Sequence, residues 1–72
     1  MDPYQDLANG IILQAVKDYR KALKNLKRNP QNHAARDTKD EVERFFHSAW
    51  YRALTSVDAD WLLRELQKEE SQ

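Results

Sequence analysis

Apolar residues recur along the first third of the chain with a helical period. Ile12, Ala15, Tyr19, Ala22 and Leu26 follow one another at spacings of three and four, and Ala8, Ile11, Val16 and Leu23 flank them. On a helix these positions fall within an arc of roughly 140°, the width of a core-facing stripe. Asp2-Pro3 supplies a start. Asp can cap, and proline is tolerated at the first helical position because its missing N–H would have no partner there. Gln5, three residues after Asp2, is placed to reach back as in a capping box. Asn29-Pro30 supplies the stop, since the residue before a proline is pushed out of the helical region. The pattern predicts a first helix over about residues 3–28, ~40 Å long at its full extent. Gly10 is its weak point, costing about 1 kcal/mol relative to alanine, and a start just after Gly10 is the alternative.

Residues 29–38 have no apolar period and are rich in loop formers. Thr38-Lys39-Asp40-Glu41 then reads as a capping box, with Thr38 as the cap and Glu41 returning the bond. A second helix is predicted over about 39–54, with Val42, Phe45, Phe46, Ala49, Trp50 and Ala53 on its apolar face. Thr55-Ser56 ends it. Asp58 caps a third helix over about 59–68, and Val57 and Leu62 stand where a hydrophobic staple would place them. Ala59, Leu62, Leu63 and Leu66 form its stripe, with Trp61 at the edge, and a polar, frayed tail follows over 69–72. No segment alternates apolar and polar residues between turn signals, and no internal repeat is present.

The fold class is therefore all-α: a small three-helix domain with a long first helix and a helix 2–turn–helix 3 hairpin. Two arrangements are open. A hairpin of this length covers only about half of a continuous first helix, which leaves part of the Ile12–Leu26 stripe for another chain, in a homodimer or a tight hetero-complex. Alternatively helix 1 breaks near Gly10 and the three helices close as a monomer.

Seventy-two residues allow a single domain. A core of that size is often marginal without disulfides, metal or a partner, and the absence of cysteine removes disulfides and thiolate sites. At 40% hydrophobic and 33% charged, the chain is too apolar for a disordered segment and too charged for a membrane protein. The longest strongly apolar run, Ile11-Ile12-Leu13, is far short of a span. No signal peptide is visible at Met1, so the chain reads as cytoplasmic. The net charge is zero but segregated, at +4 over residues 1–36 and −4 over 37–72. That bears on association rather than on the fold.

Lys17, Arg20, Lys21, Lys24, Lys27 and Arg28 share one side of helix 1, beside the apolar arc. Such a face suits nucleic-acid phosphates. The plainer reading, a solvated face whose cations also complement the helix C-terminus, is preferred, because a pI of 6.7 is not that of a dedicated binder. Helix 2, the turn and helix 3 do not make a DNA-reading helix-turn-helix. The start of the would-be recognition helix is Asp58-Ala59-Asp60, which phosphates repel. Among the aromatics, Phe46 and Trp50 read as core. Tyr51 lies off the main stripe, and with Phe45 or Trp61 it is the candidate protein-contact patch.

Catalysis finds little support. His47 lies four residues after Glu43, a spacing that could share a metal, but no third ligand presents itself and His33 is in the loop. Ser48 adjoins His47, and neighbours on a helix do not face each other. No phosphate-binding glycine loop or nucleophile elbow is present. No metal, cofactor or small-molecule substrate is inferred.

The stretches Ile11-Ile12-Leu13-Gln14-Ala15-Val16-Lys17-Asp18-Tyr19-Arg20, Glu43 to Trp50 and Leu54-Thr55-Ser56-Val57-Asp58 carry a resemblance. The chain resembles a group of short uncharacterised proteins encoded in prophages and integrated mobile elements of Gram-positive bacteria, over most of residues 7–66. In that group glycine commonly follows the Val-Asp pair, where this chain has Ala59, a departure confined to the start of helix 3. The group has no activity to carry over. The resemblance implies a cytoplasmic accessory protein of a mobile element. The function expected from the whole sequence is a non-catalytic protein–protein interaction module, with a protein partner or self-association. The alternative is a nucleic-acid-binding accessory protein using the basic face of helix 1.

Overall fold

The structure, a computed structural model, describes residues 7–70. It is all-helical: α1 (Leu7–Arg28), α2 (His33–Phe46), α3 (Ala49–Leu54) and α4 (Ala59–Glu70). The Asp2–Gln5 capping box, Pro3, the Ala8 side chain and residues 71–72 lie outside what is described. α1 passes through Gly10 without interruption. Among the described residues no helix is long and apolar enough to cross a membrane.

Three boundaries differ from the sequence reading. The loop expected over 29–38 is a turn of four residues, and α2 begins six residues earlier than expected. Its cap is Asn32, whose side chain accepts from the Ala35 N–H at 3.0 Å, so Thr38 sits inside the helix. Asn32 and Thr38 are both competent caps. The earlier one wins because it brings Ala35 into the interior, where it and Ala22 of α1 are both buried and let the two backbones approach closely.

The helix expected over 39–54 is two helices. His47 and Ser48 leave the helical path, with Ser48 extended at φ −83° and ψ 160°. The Ser48 hydroxyl donates to the Phe45 carbonyl at 2.6 Å and accepts from the Tyr51 N–H at 3.2 Å, closing one helix and capping the next. The expected hairpin is therefore replaced by α2, the short corner α3 and α4. Finally, α4 runs two residues beyond the expected stop, because Arg20 holds Glu69 and Lys27 donates to the Glu70 carbonyl at 2.9 Å.

α2 lies antiparallel to α1: Ala22 faces Ala35, while Ala15 shares a surface with Val42 and Phe45. α4 lies parallel to α1: Leu13 shares a groove with Trp61 and Leu62, Arg20 meets Glu69, and Lys27 meets Glu70. Ile12, Val16, Tyr19 and Ala22 are all buried within one chain. Of the two arrangements left open, the one that leaves part of this stripe uncovered within the chain is corrected. The longer α2 and the returning α4 cover it from two sides, leaving Ile11 and Leu13 at its margins.

The centre is aromatic. Tyr19, Phe46 and Tyr51 are fully enclosed. Phe46 meets Tyr51 edge to face at 5.2 Å and Tyr19 at 6.4 Å, arrangements worth about 0.5–1.5 kcal/mol each beyond area burial.

Candidate functional site

The break at Ser48 decides which aromatic side chains face water. In one continuous helix Trp50, four residues after Phe46, would share its inward face. The break rotates the chain so that Tyr51 points inward at 1% exposure and Trp50 points outward at 61%. The assignment of Tyr51 to a contact patch, and of Trp50 to the core, is therefore reversed.

Two apolar surfaces result. On the first, Trp50 meets half-buried Phe45 edge to face at 6.3 Å. Both line a shallow depression with Ile11, Ala15 and Val42, and Gln14, Asp18 and Glu41 form its polar edge. Gln14 donates to Asp18 at 3.0 Å. The second surface is a groove of about 360 Å³ between α1 and α4. Ile12, Val16, Tyr51 and Leu66 line its base, and Leu13 at 40% exposure and Trp61 at 49% stand on opposite walls. A paired bridge closes one end: the Arg20 Nε and a terminal guanidinium N–H donate to the two Glu69 oxygens at 2.9 and 3.0 Å. Arg20 holds the Glu69 carboxyl below its usual range. Thr55 and Val57 close the other end. Phe45 and Trp61, paired in the sequence reading as alternatives, thus belong to different surfaces. The sequence missed Trp50, Ile11 and Leu13. The signal that would have found Trp50 is Ser48, a competent helix cap within an otherwise unbroken apolar pattern.

All six cations of α1 are exposed. Arg20 and Lys27 are tied to the end of α4. Lys17, Lys21, Lys24 and Arg28, spaced four, three and four apart, form a straight ridge on the side away from the core. The ridge is about 16 Å long, and none of its four members forms an ion pair with a described residue.

The titratable groups nearest the core are committed to one another. The Tyr19 hydroxyl donates to Glu43 Oε2 at 2.7 Å and accepts from Gln67 Nε2 at 2.9 Å, joining α1 to both α2 and α4. Burial, with the neighbouring Glu43 carboxylate and against the Gln67 bond, pushes this hydroxyl up to about 12. At neutral pH it is a donor and not a base. Burial acts to raise Glu43, but bonds from Lys39, at 2.9 Å, and from Tyr19 outweigh it and hold the carboxyl below its usual range.

Both ring nitrogens of His47 face acceptors: Nε2 lies 2.8 Å from Asp60 Oδ1, and Nδ1 lies 2.9 Å from the Glu43 carbonyl. The Asp60 carboxylate, then the carbonyl, raise its pKa. The His47 ring and the Glu43 carboxylate, the pair weighed as metal ligands, thus serve different partners. No cluster of three or more potential metal ligands occurs among the described residues. Ser48 is occupied in capping, and His33 lies exposed at the start of α2. No protein-family model, curated protein or solved structure matches the chain.

Proposed function

We propose that the chain is a small, non-catalytic protein-binding module, acting as a cytoplasmic accessory protein of a prophage or mobile element. The observation that carries this reading is Trp50, 61% exposed on a helical scaffold beside Ile11 and Phe45. Tryptophan is the residue type most enriched where interface energy concentrates. Asp18 and Glu41 at the edge of the same surface favour a partner whose apolar side chain is flanked by Lys or Arg. Tyr19 and Glu43 are engaged with each other between α1 and α2, and Lys39 with Glu43 within α2, which supports a role without catalysis. The resemblance to mobile-element proteins supplies the cellular setting.

The test is capture from a host lysate on the immobilised protein, with and without nuclease, beside the Trp50→Ala variant. The reading expects one protein in near-equimolar amount, retained after nuclease and lost with Trp50→Ala. Retention indifferent to Trp50→Ala, or abolished by nuclease, overturns it.

One observation favours a second reading, a nucleic-acid-binding accessory protein: the ridge of Lys17, Lys21, Lys24 and Arg28, none of which forms an ion pair with a described residue. Four neutralised phosphates give a slope of log affinity against log salt of about −3 to −4. Lys21→Glu with Lys24→Glu abolishes that binding, and binding that survives the change eliminates the reading.

A further inference from the structure

We infer that the outer face of α1, with the exposed edge of α4 beside it, adsorbs on an anionic lipid surface. The observation is a line of side chains along the back of α1. α1 is an unbroken helix over Leu7–Arg28, and on it Leu13, Lys17, Lys21, Lys24 and Arg28 fall within an arc of about 80°. All five are exposed. They stand opposite the buried stripe of Ile12, Tyr19 and Ala22. α4 repeats the order: exposed Trp61 is followed on its own face, three and seven residues later, by exposed Arg64 and Lys68. α1 and α4 run parallel, so Leu13 and Trp61, exposed at 40% and 49%, stand together at one end. The cations of both helices follow towards the other end.

The charge left over on this face has one sign. The acidic side chains of α4 nearest to it are engaged within the chain: Glu69 with Arg20, Glu65 with Lys68 at 3.3 Å, and Asp60 with His47. The argument draws on none of these pairs. It rests on Lys17, Lys21, Lys24 and Arg28, none of which forms an ion pair with a described residue. A row of such cations headed by an aliphatic and an indole side chain suits a partner with negative charge along its length and an apolar medium beneath. An anionic bilayer surface has both. Its headgroups attract each nearby Lys or Arg, roughly fivefold in partition apiece, and tryptophan settles at the boundary between headgroups and acyl chains. A nucleic-acid backbone meets the cations but leaves Leu13 and Trp61 in water. No described helix is long and apolar enough to cross a membrane, so the contact is adsorption. It engages Leu13 and Trp61 at the rims of the groove and does not require that anything fill the groove. The Trp50 surface is separate, so the inference stands apart from the protein-binding reading. It competes with the nucleic-acid reading for one ridge, and the test separates the two.

Co-sedimentation with vesicles of phosphatidylcholine, alone and mixed with phosphatidylglycerol, tests the inference. The second readout is the fluorescence of the Trp50→Phe variant, whose one indole is Trp61. Binding to the mixed vesicles at low salt is expected, weakening as salt screens the charges, with Trp61 emission moving to shorter wavelength. Lys21→Glu with Lys24→Glu is expected to lower the partition by more than about a hundredfold. Trp61→Ala lowers it severalfold. All three positions are exposed, and circular dichroism checks that the variants fold. Absence of binding to the mixed vesicles at low salt overturns the inference. So does binding that survives Lys21→Glu with Lys24→Glu, or Trp61 emission that does not move on binding. Tighter binding to duplex DNA than to vesicles of equal phosphate content, with Trp61→Ala without effect on either, overturns it in favour of the nucleic-acid reading.

Discussion

Replacing Tyr19 by phenylalanine retains the ring that packs edge to face on Phe46 and deletes one hydroxyl. That hydroxyl makes two polar links out of α1, to Glu43 at 2.7 Å and from Gln67 at 2.9 Å. A hydrogen bond to a charged group contributes about 1.5–3 kcal/mol and a neutral one about 0.5–1.5 kcal/mol. Glu43 keeps Lys39, and exposed Gln67 can turn to water, so the expected net loss is about 2 kcal/mol. The pKa governs the pH dependence instead, its rise owing first to burial of the ring and only then to the Glu43 carboxylate. A rise from 10.0 to about 12 corresponds to roughly 2–3 kcal/mol favouring the protonated hydroxyl in the folded chain. Because the folded value lies above the unfolded one, this stabilisation is complete below pH 10 and is lost as pH climbs towards 12. A single core of this size supplies only ~3–5 kcal/mol in total, so the effect is easily measured. Urea denaturation followed by far-ultraviolet circular dichroism, on both proteins from neutral to strongly alkaline pH, is the assay. The gap between them is expected to be near its maximum at neutral pH and to close above pH 10. A gap below about 0.5 kcal/mol at neutral pH, or one that stays constant through the alkaline range, refutes the assignment of the hydroxyl as the tie between the three helices.

Gly10→Ala is expected to stabilise the protein by about 0.5–1 kcal/mol and raise the melting temperature by roughly 2–8 °C. The position is helical and an added Cβ meets nothing within 4 Å; an unchanged or lower melting temperature would mean that α1 is not helical there. Tyr51→Ala should cost about 3–5 kcal/mol, enough to unfold most of the population, whereas Trp50→Ala should cost under about 1 kcal/mol. The reverse order in thermal melts would mean that the helix runs through Ser48 unbroken. His47 should titrate above 6.5 by NMR, and Asp60→Asn should lower its pKa. Its contribution to stability is present below 6.5 and lost as pH rises through the folded value; a titration indifferent to Asp60→Asn removes Asp60 as the cause.

The core positions of α1 were legible because Ile12, Tyr19 and Ala22 repeat with the helix, and Leu63 and Leu66 of α4 were legible for the same reason. The start of α2 was not, since Asn32 and Thr38 are equally good caps in isolation and the choice is made by packing Ala35 beside Ala22. The break at Ser48 was hidden for a similar reason. The apolar spacing from Val42 to Ala53 runs across it without a gap, and the turn exists to bring α4 back along α1. Every error about the aromatics follows from that break, because it exchanges Trp50 for Tyr51. The six cations could be read as one face, but not the division of labour within it: Arg20 and Lys27 hold α4, and the other four form no ion pair with a described residue. The groove was beyond reach, since its walls come from elements about fifty residues apart whose parallel alignment no local pattern encodes.

The parallel course of α1 and α4 also fixes how the molecule can be handled. Leu7 begins α1 at the end of the bundle where Ile11, Trp50 and Trp61 lie, while Glu70 ends α4 beside Lys27 at the other end of a body 37 Å long. A tether or label on that side therefore joins the helical body, at Leu7, at the end that carries both apolar surfaces. One attached after Glu70 leaves from the far end, with both surfaces turned towards solution. Immobilisation through the end after Glu70 is therefore the arrangement that turns Trp50 and Trp61 away from the support.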